Sequence, residues 1–342
     1  MTQLQGQTMQ IVQCERWGSH TDLVIKQVPV PGPLAANEVR VNLQARGISF
    51  SDLVRIKGDY QDTAALPFTV GGEAAGTIIE VGSSVIDLKV GDRVLSPGGC
   101  VEQINVAAQR VSVLQPHVDL AVAAAFRSNY ATAYYGLQLA NLQPGETLLV
   151  HGAAGGVGLA AVDLGKLFGA RVIGAASTDA KRGVVTALGA DHVIDSTTDF
   201  RDEVKHLTAG LGADVIFDPV GGEIFDQSLR CIAPFGRILV VGFTSGRPAV
   251  AKTNHLLVKD ASVIGFTIGG LQKHKPALAE KNAVTLLGWL ASGRIRPFIS
   301  HQLPMEDIVE AYQLLVDRQV AGKVILTSHQ DNPADRVVTG LG

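Results

Sequence analysis

The stretch that decides the fold is Glu146–Arg182, with the sequence ETLLVHGAAGGVGLAAVDLGKLFGARVIGAASTDAKR. It opens with an apolar run, Thr147–His151, that is long enough for a buried strand. A glycine turn, GAAGGVG, follows at residues 152–158, and apolar residues then recur at helical spacing through Phe168. A second β-branched run begins at Arg171. Strand, glycine turn, helix and strand together predict a βαβ unit with a right-handed crossover.

The residues of this turn have separate physical roles. Gly155 and Gly156 let the backbone come within van der Waals distance of a ligand, where a Cβ would collide. Gly158 lets the helix lie close to the strand. The first-turn N–H groups, with Val157 among them, would face a pyrophosphate at the positive end of the helix dipole. The turn therefore predicts a dinucleotide site lined by Ala154, Gly155, Gly156 and Val157, and the flanking strands disfavour a tight turn without a ligand.

The end of the second strand indicates which dinucleotide binds. An NAD site usually places Asp or Glu there, about 20 residues past the glycines, to hold the ribose 2′-hydroxyl. This chain has Ser177 and Thr178, followed by Lys181 and Arg182. Hydroxyl donors and cations without a repelling carboxylate suit a 2′-phosphate, and Asp179 lies two residues late for the ribose contact. We expect NADP, held by Ser177 and Lys181, although Ser177 or Thr178 also suits a helix N-cap.

Composition limits the other functions. The 342 residues suit two domains, and 29 basic against 32 acidic residues give a net charge of −3 without a basic run, so we expect no nucleic-acid partner. No stretch resembles a transmembrane span or a signal peptide, so we expect no membrane association. Three cysteines without metal or disulfide spacing fit a reducing, cytoplasmic location. Residues 1–8 and 328–342 are polar, and we expect both segments to be disordered.

The rhythm of the chain changes near Asp119. From Gln10 to about Gln115 the apolar runs are short, β-branched and broken by Gly and Pro, which predicts a small antiparallel barrel. Beyond Asp119, strands and helices alternate, which predicts a doubly wound six-stranded parallel sheet and an α/β fold. The predicted strands are Thr147–His151, Arg171–Ala176, His192–Ile194, Val215–Asp218, Arg237–Gly242, Ser262–Phe266 and a final Gly322–Thr327. The predicted helices include Ala121–Ala125, Thr132–Leu142, Pro276–Ser292 and Glu306–Arg318.

Several motifs occur in a characteristic order from about Met9 to Thr327. They are GISFSD (47–52), GDY (58–60), GGEAAG (71–76), VGDRV (90–94), TAYY (132–135), GAAGGVG (152–158), LGADHVID (188–195), FDPVGG (217–222), VGFTSG (241–246) and GKVIL (322–326). In this order the sequence resembles the zinc-independent quinone oxidoreductase and enoyl reductase branch of the medium-chain dehydrogenase/reductase superfamily. The motifs do not specify a substrate.

The resemblance implies the domain organisation. A GroES-like catalytic barrel would comprise residues 9–125 and 268–327, and a Rossmann nucleotide-binding domain would comprise residues 126–267. The active site would be the cleft where the two meet, and homodimers would form through the edge strand Ser262–Ile268. By analogy, the further cofactor-lining residues would be Ser49, Thr132, Ser196, Gly242, Phe243, Thr244 and the backbone of Phe266, Thr267 and Ile268.

The same resemblance addresses zinc. Zinc-dependent relatives carry a catalytic Cys, a His-Glu pair and a second Cys, and also a four-cysteine cluster. The matching positions here fall near Ser49, at Gly72 beside Glu73, and near Ser128. None of these is a soft or imidazole ligand, and the chain has no four-cysteine cluster. We therefore expect a site without metal.

Without a Lewis acid, the acceptor must delocalise the incoming electrons itself, as a quinone or an alkene conjugated to a carbonyl does. Hydrogen-bond donors aimed at the developing oxyanion would lower the barrier. Tyr60 is the best candidate, because enoyl reductases of this branch carry a proton-donating tyrosine after such a segment. The alternative is an ordinary loop tyrosine with its hydroxyl in water. Asp52, Glu73 and Arg93 are interpreted as structural.

Departures from the family pattern leave alternatives open. Ser49 stands where Asn is frequent, Ser196 replaces a tyrosine beside the nucleotide, and Arg127 replaces a proline. Arg127 could favour anionic acceptors or, as we expect, form a surface salt bridge. Two other functions remain open. One is a zinc-free alcohol or aldehyde dehydrogenase, and the other is a nucleotide-binding protein with a structural or RNA-binding role.

Overall fold

The computed structural model describes residues 7–60 and 64–328, which form two compact units. The barrel unit holds the residues up to Arg127 together with those from Ile299 onward. The parallel-sheet unit holds Ser128–Phe298.

The elements are numbered along the chain. Up to residue 139 they are β1 (Thr8–Cys14), β2 (Val24–Pro29), β3 (Glu38–Ile48), α1 (Phe50–Lys57), β4 (Phe68–Thr69), β5 (Glu73–Val81), β6 (Arg93–Pro97), β7 (Gln103–Ala107), β8 (Ser112–Val113), α2 (Leu120–Ala124) and α3 (Arg127–Leu139). They continue with β9 (Thr147–Val150), α4 (Gly156–Leu167), β10 (Arg171–Ala176), α5 (Asp179–Ala187), β11 (His192–Asp195), α6 (Arg201–Leu207), β12 (Ala213–Asp218), α7 (Gly222–Cys231), β13 (Ile232–Val240), α8 (Thr253–Lys259), β14 (Ser262–Gly265), α9 (Ile268–His274) and α10 (Pro276–Ala291). The last are β15 (Ile299–Pro304), α11 (Ile308–Val316) and β16 (Lys323–Thr327).

The barrel unit consists of two sheets that are largely antiparallel. The larger has the order β15-β16-β3-β5-β6-β8, with β7 paired on β3, and the smaller has the order β2-β1-β4. Strand β16 comes from the end of the chain and pairs with β3, Val324 opposite Ile48. The predicted barrel is therefore completed by a strand that lies far away in sequence.

The parallel-sheet unit has six strands in the order β11-β10-β9-β12-β13-β14, and every pair is parallel. This is the strand order of a Rossmann fold, with the switch between β9 and β12. All four residues of β9 are buried, as expected for a strand covered by helices on both faces. The predicted α/β class and the predicted Rossmann sheet are confirmed.

The second boundary between the units differs from the predicted one at residues 267 and 268. Helix α10 packs on α3, where the amides of Gln138 and Asn282 bond to each other at 2.8 and 3.2 Å. Trp289 also contacts Tyr134 edge-on, with ring centroids 5.3 Å apart. These contacts hold residues 268–298 on the parallel-sheet unit rather than on the barrel unit.

The predicted disorder of the termini does not hold at their inner ends. Thr8 begins β1 opposite Pro29, and the carbonyl of Gln7 accepts a hydrogen bond from the Val30 N–H at 3.2 Å. At the other end, the hydroxyl of Ser328 lies 3.2 Å from Arg46 Nη1. Residues 1–6 and 329–342 lie outside the described residues.

Two further features concern long helices and thiols. No helix within residues 7–60 and 64–328 is long and apolar enough to cross a membrane. Cys14, Cys100 and Cys231 are free and buried. Burial raises the pKa of the Cys100 and Cys231 thiols to about 12.

Candidate active site

The glycine turn is tied into the centre of the parallel sheet. The N–H of His151 donates to Phe217 O at 3.0 Å, and the N–H of Ala153 donates to Ala175 O at 3.0 Å. These bonds hold the turn between the ends of β12 and β10. Gly155 is the N-cap of α4, with φ −76° and ψ 169°, and the helix begins at Gly156. The helix N-terminus is therefore fixed at the carboxyl edge of the sheet, where doubly wound folds bind ligands.

The glycines of the turn differ in what a side chain would meet. A Cβ on Gly158 would lie 2.2 Å from Gly152 O, so only glycine allows the observed contact between helix and strand. A Cβ on Gly155 would meet the same oxygen at 3.3 Å, which is tight but not prohibitive. A Cβ on Gly156 would lie 2.5 Å from Nδ2 of Asn129. The group that would collide with a side chain at residue 156 is thus a side chain of the protein. The sequence alone does not indicate this contact.

The turn fits the diphosphate of a dinucleotide. The first-turn N–H groups of α4, those of Gly156, Val157 and Gly158, have no acceptor within the helix, and they point out of its positive end. Ala154 is buried beneath them. Gly155 is exposed, and Gly156 and Val157 are half-buried, so an anion can approach the amides from the solvent side.

The residues predicted to hold a 2′-phosphate come together at the carboxyl ends of β10 and β11. Ser177 is exposed directly after β10. The hydroxyl of Thr178 caps α5 by accepting from the Lys181 N–H at 3.3 Å, which is the N-cap role considered from the sequence. Ser196 donates its N–H to Ala176 O at 3.2 Å. Ser177 thus follows β10, Lys181 lies in the first turn of α5 and Ser196 follows β11, and their contacts with a cofactor stay a prediction.

Arg182 has a different role from Lys181. Its guanidinium donates to Ala176 O at 3.1 Å, lies 3.3 Å from an Asp195 carboxylate oxygen and pairs with Asp179. Arg182 thus fastens α5 to the ends of β10 and β11, and two carboxylates balance its charge. The assignment of a 2′-phosphate site rests on Ser177 and Lys181.

The other predicted cofactor-lining residues of the parallel-sheet unit lie in the first half of α3 and after β13 and β14. Thr132 donates its hydroxyl to Ser128 O, one turn back in α3, at 2.7 Å. Thr244 donates its N–H to Pro219 O at 3.1 Å. Gly242 and the half-exposed Phe243 directly precede Thr244 in the chain.

The segment after β14 is shaped by its side chains. The hydroxyl of Thr267 caps α9 by accepting from the Gly270 N–H at 2.9 Å, and Ile268 is the first residue of that helix. The Phe266 ring contacts Tyr135 edge-on, with centroids 5.6 Å apart. This packing orients the backbone that follows the last strand of the sheet.

In the barrel unit, Ser49 is the N-cap of α1. Its N–H donates to Asp52 Oδ2 at 2.8 Å, and its hydroxyl lies 3.2 Å from the same oxygen and 2.8 Å from the Ser51 hydroxyl. Tyr60 follows this helix, and the Arg55 guanidinium lies 4.8 Å from the centroid of its ring. The Asp52 carboxylate therefore has the predicted structural role, and Tyr60 is oriented by a cation–π contact.

A cluster of buried polar side chains lies beneath α1. The sequence indicated a structural role for Asp52 and Glu73 but not for Lys323 and Tyr312. Glu73 and Lys323 form an ion pair whose side chains are 6% and 4% exposed. Burial raises the pKa of the Asp52 carboxyl, against the lowering effects of Lys323 and of hydrogen bonds from Ser49. Burial, with the Asp52 carboxylate second, also raises the pKa of the Tyr312 phenol. The sequence does contain an indication of this pair. Lys323 stands within the apolar run GKVIL, where a lysine is expected to be buried and to need a partner of opposite charge.

The two remaining arginines named from the sequence have different surroundings. Arg93 donates to the carbonyl of Pro116, a structural contact. Burial lowers the pKa of Arg127, and the Glu73 carboxylate opposes this. Arg127 forms no salt bridge with a carboxylate within residues 7–60 and 64–328, so the expected surface salt bridge is not seen among these residues.

The three positions where zinc-dependent relatives carry zinc ligands hold either a serine hydroxyl or no side chain. Ser49 and Gly72 lie in the barrel unit and Ser128 lies in α3. In the part of the chain that the structure describes, no group of three or more His, Cys, Asp or Glu side chains is placed to hold a metal ion. A serine hydroxyl is a poor zinc ligand, so these three positions do not fit the ion.

Comparisons with known proteins agree with this architecture. Residues 35–127 match the family described as alcohol dehydrogenase GroES-like domain, and residues 156–283 match the family described as zinc-binding dehydrogenase. The second match lies within the parallel-sheet unit and includes none of the three zinc-ligand positions. A quinone oxidoreductase-like protein 2 homolog of Nematostella vectensis is 39% identical over 327 residues, which are 93% of this chain and 89% of that protein. Quinone oxidoreductase-like protein 2 of Bos taurus is 36% identical over 311 residues, 89% of each chain.

Solved structures show the same similarity. A probable oxidoreductase from Mycobacterium abscessus has a TM-score of 0.84 and 33% identity, covering 94% of this chain and 99% of that one. The quinone oxidoreductase of Escherichia coli, complexed with NADPH, has a TM-score of 0.83 and 29% identity, covering 93% and 99%. The CurK enoyl reductase has a TM-score of 0.83 and 28% identity, covering 94% and 100%.

A barrel unit of GroES-like type joined to a Rossmann unit with this glycine turn defines a medium-chain dehydrogenase/reductase. The chain belongs to the quinone oxidoreductase-like branch of that superfamily, and it is an oxidoreductase of the quinone oxidoreductase or enoyl reductase type. The family binds nicotinamide dinucleotides. The predicted family is confirmed, and so is the predicted class of cofactor.

Proposed function

We propose that this protein uses NADPH to reduce a quinone, or an alkene conjugated to a carbonyl, without zinc. One observation carries the proposal. A complete dinucleotide turn is combined with Ser49, Gly72 and Ser128 at the three positions where zinc-dependent relatives place ligands. The chain can thus hold a hydride donor, but it lacks the ligands for a Lewis acid.

The residues of the parallel-sheet unit bind and orient the cofactor. The first-turn amides of α4 hold the diphosphate, and Ser177 and Lys181 hold the 2′-phosphate. Ser196, Thr132 and the segments 242–244 and 266–268 line the rest of the dinucleotide. Bound NADPH supplies a hydride to the acceptor and becomes NADP⁺, and the chain must supply one proton. The NADPH complexes of the Escherichia coli enzyme and of a mycobacterial relative support this choice of cofactor.

The residues of the barrel unit act on the acceptor. Tyr60 donates the proton that completes the reduction, and Ser49 contributes a hydroxyl near the acceptor or the nicotinamide. Because no metal polarises the acceptor, electron pairs must move onto its own carbonyl oxygen, and hydrogen-bond donors stabilise the charge there. This requirement favours quinones and enones over simple ketones.

We further propose that the protein forms a homodimer in the cytosol. Strand β14 ends the six-stranded sheet and pairs only with β13 among the described strands, so its other edge offers backbone groups to a second copy. The three free, buried cysteines suit a reducing compartment.

The experiment that tests the activity is NADPH oxidation against a panel of quinones, conjugated enones, acyl-thioesters and simple alcohols, with and without a chelator. We expect turnover of quinones or enones that the chelator does not change, and none of simple alcohols. Loss of turnover with the chelator, restored by zinc, would contradict the proposal. NADPH binding without turnover of any acceptor would instead favour a structural role.

A further inference from the structure

The proposed function assigns no role to Asn129, although this residue lies against the glycine turn. It lies in α3, is 8% exposed, and places its carboxamide over the first residue of α4. A Cβ built on Gly156 would lie 2.5 Å from Nδ2 and 2.9 Å from Oδ1 of Asn129. The carboxamide therefore occupies the volume that any side chain at residue 156 would need.

The neighbouring residue holds α3 in place. Tyr130 is buried and donates its hydroxyl to Asp163 Oδ2 at 2.6 Å. The same oxygen accepts the N–H of Arg296 at 2.8 Å. Asp163 lies about two turns along α4 from Gly156. Helix α3 is thus attached to α4 at two points, by a buried hydrogen bond at Asp163 and by the Asn129 carboxamide at the N-terminus.

We propose that Asn129 is a positioning residue for the cofactor, a role that rests on the dinucleotide site proposed above. Its carboxamide, packed against Gly156, fixes the first turn of α4 relative to β9. The N–H groups of Gly156 and Val157 are thereby held where the diphosphate binds. The diphosphate is common to NADPH and NADH. Loss of the Asn129 carboxamide therefore weakens the binding of both nucleotides by the same factor. Loss of Lys181 weakens only NADPH.

The test compares Asn129→Ala with Asn282→Ala, a matched control. Asn282 is 4% exposed, lies in the same unit and bonds to Gln138, away from the glycine turn. Dissociation constants for NADPH and NADH are measured by fluorescence titration, with thermal unfolding in parallel. We expect Asn129→Ala to raise both constants about tenfold at an unchanged ratio, a change of about 1.4 kcal/mol, and to raise the KM for NADPH while kcat at saturation changes less. Asn282→Ala should lower the melting temperature without changing either constant.

A second variant keeps the proposal falsifiable if Asn129→Ala folds poorly. Gly156→Ala should displace the carboxamide and weaken both nucleotides. In the Asn129→Ala background the same methyl group meets no carboxamide, so the double variant should bind no worse than Asn129→Ala alone. Additive losses, or constants for either Gly156→Ala or Asn129→Ala within twofold of the natural chain, would overturn the inference. A natural chain that binds neither nucleotide would overturn the proposed function itself.

Discussion

A buried histidine in the parallel-sheet unit and a buried ion pair in the barrel unit illustrate two ways to bury polar groups. Beside the glycine turn, the parallel-sheet unit buries a neutral imidazole. His151 is 1% exposed, and its Nε2 lies 2.8 Å from the hydroxyl of Ser228. Because that hydroxyl donates to Ile224 O at 2.8 Å, the imidazole is the donor in their bond. The barrel unit instead buries the charged pair of Glu73 and Lys323.

This difference follows from how each unit would do its work. A helix N-terminus binds an anion through backbone dipoles and needs no charged side chain beneath it. In the barrel unit, the buried Glu73 carboxylate and Lys323 ammonium depend on each other for compensation. The parallel-sheet unit should therefore tolerate the loss of a single polar side chain better than the barrel unit.

The largest effect is expected for Lys323→Met. This substitution leaves the Glu73 carboxylate buried without its counter-ion, which costs about 3–5 kcal/mol. Urea unfolding measures the loss. The double variant Lys323→Met with Glu73→Gln should recover most of it, because neither position then carries a charge. Arg16→Ala breaks an exposed pair with Asp22 and should change little. A small loss for Lys323→Met would show that the two units do not differ in this respect.

Next in size is the effect of Tyr60→Phe. We expect kcat on an enone to fall about 10²-fold, the lower end of what a general acid contributes and about 2.7 kcal/mol. Affinity for NADPH should stay the same, because the cofactor-binding residues are untouched. Steady-state kinetics with a titration of NADPH checks both parts. Unchanged turnover would mean that water supplies the proton.

A third prediction concerns acid. Burial lowers the pKa of His151 from 6.5 to about 3. As the pH falls below 6.5, the unfolded chain binds a proton at this imidazole and the folded chain does not, so stability is lost. Between pH 7 and pH 5 the loss should be about 2 kcal/mol. The raised pKa of Asp52 acts in the opposite direction, because the folded chain then holds its proton more tightly as the pH falls.

The measurement is urea unfolding of the natural chain and of His151→Gln at each pH. The contribution of Asp52 cancels in the difference between the two proteins. We expect His151→Gln to be less sensitive to acid, and parallel curves would show that His151 does not remain neutral.

The smallest effect is expected for Lys181→Ala. The KM for NADPH should rise about tenfold, or about 1.4 kcal/mol, and that for NADH should not change. Lys166→Ala, which removes a cation paired with Asp191 away from the glycine turn, should change neither value. Equal effects of Lys181→Ala on both nucleotides would remove the 2′-phosphate assignment.

The same comparison explains what the sequence could reveal. The β9-α4-β10 unit is continuous in the chain, so its periodicity and glycines predicted the strand Arg171–Ala176 with the observed bounds. The buried polar cluster beneath α1 joins Asp52 and Glu73 to Tyr312 and Lys323, which lie far away in sequence. No local pattern indicates that these residues meet, and only the pairing of β16 with β3 brings them together.

Asn129 illustrates a second limit of sequence reasoning. From the sequence, the glycine at residue 156 is explained by the close approach of a ligand, which stays a prediction. The structure shows a side chain from α3 at the same place. A glycine in the sequence indicates that another group approaches the backbone closely. Whether that group is a ligand or a side chain of the protein is known only from the packed structure.

The buried cysteines have a consequence for an enzyme of this kind. Quinones and enones are Michael acceptors, which alkylate thiolates. Burial holds the pKa of Cys100 and Cys231 at about 12 and raises that of Cys14, so at neutral pH all three stay protonated and out of reach. An acceptor of the proposed kind would therefore meet no reactive cysteine thiolate in this chain.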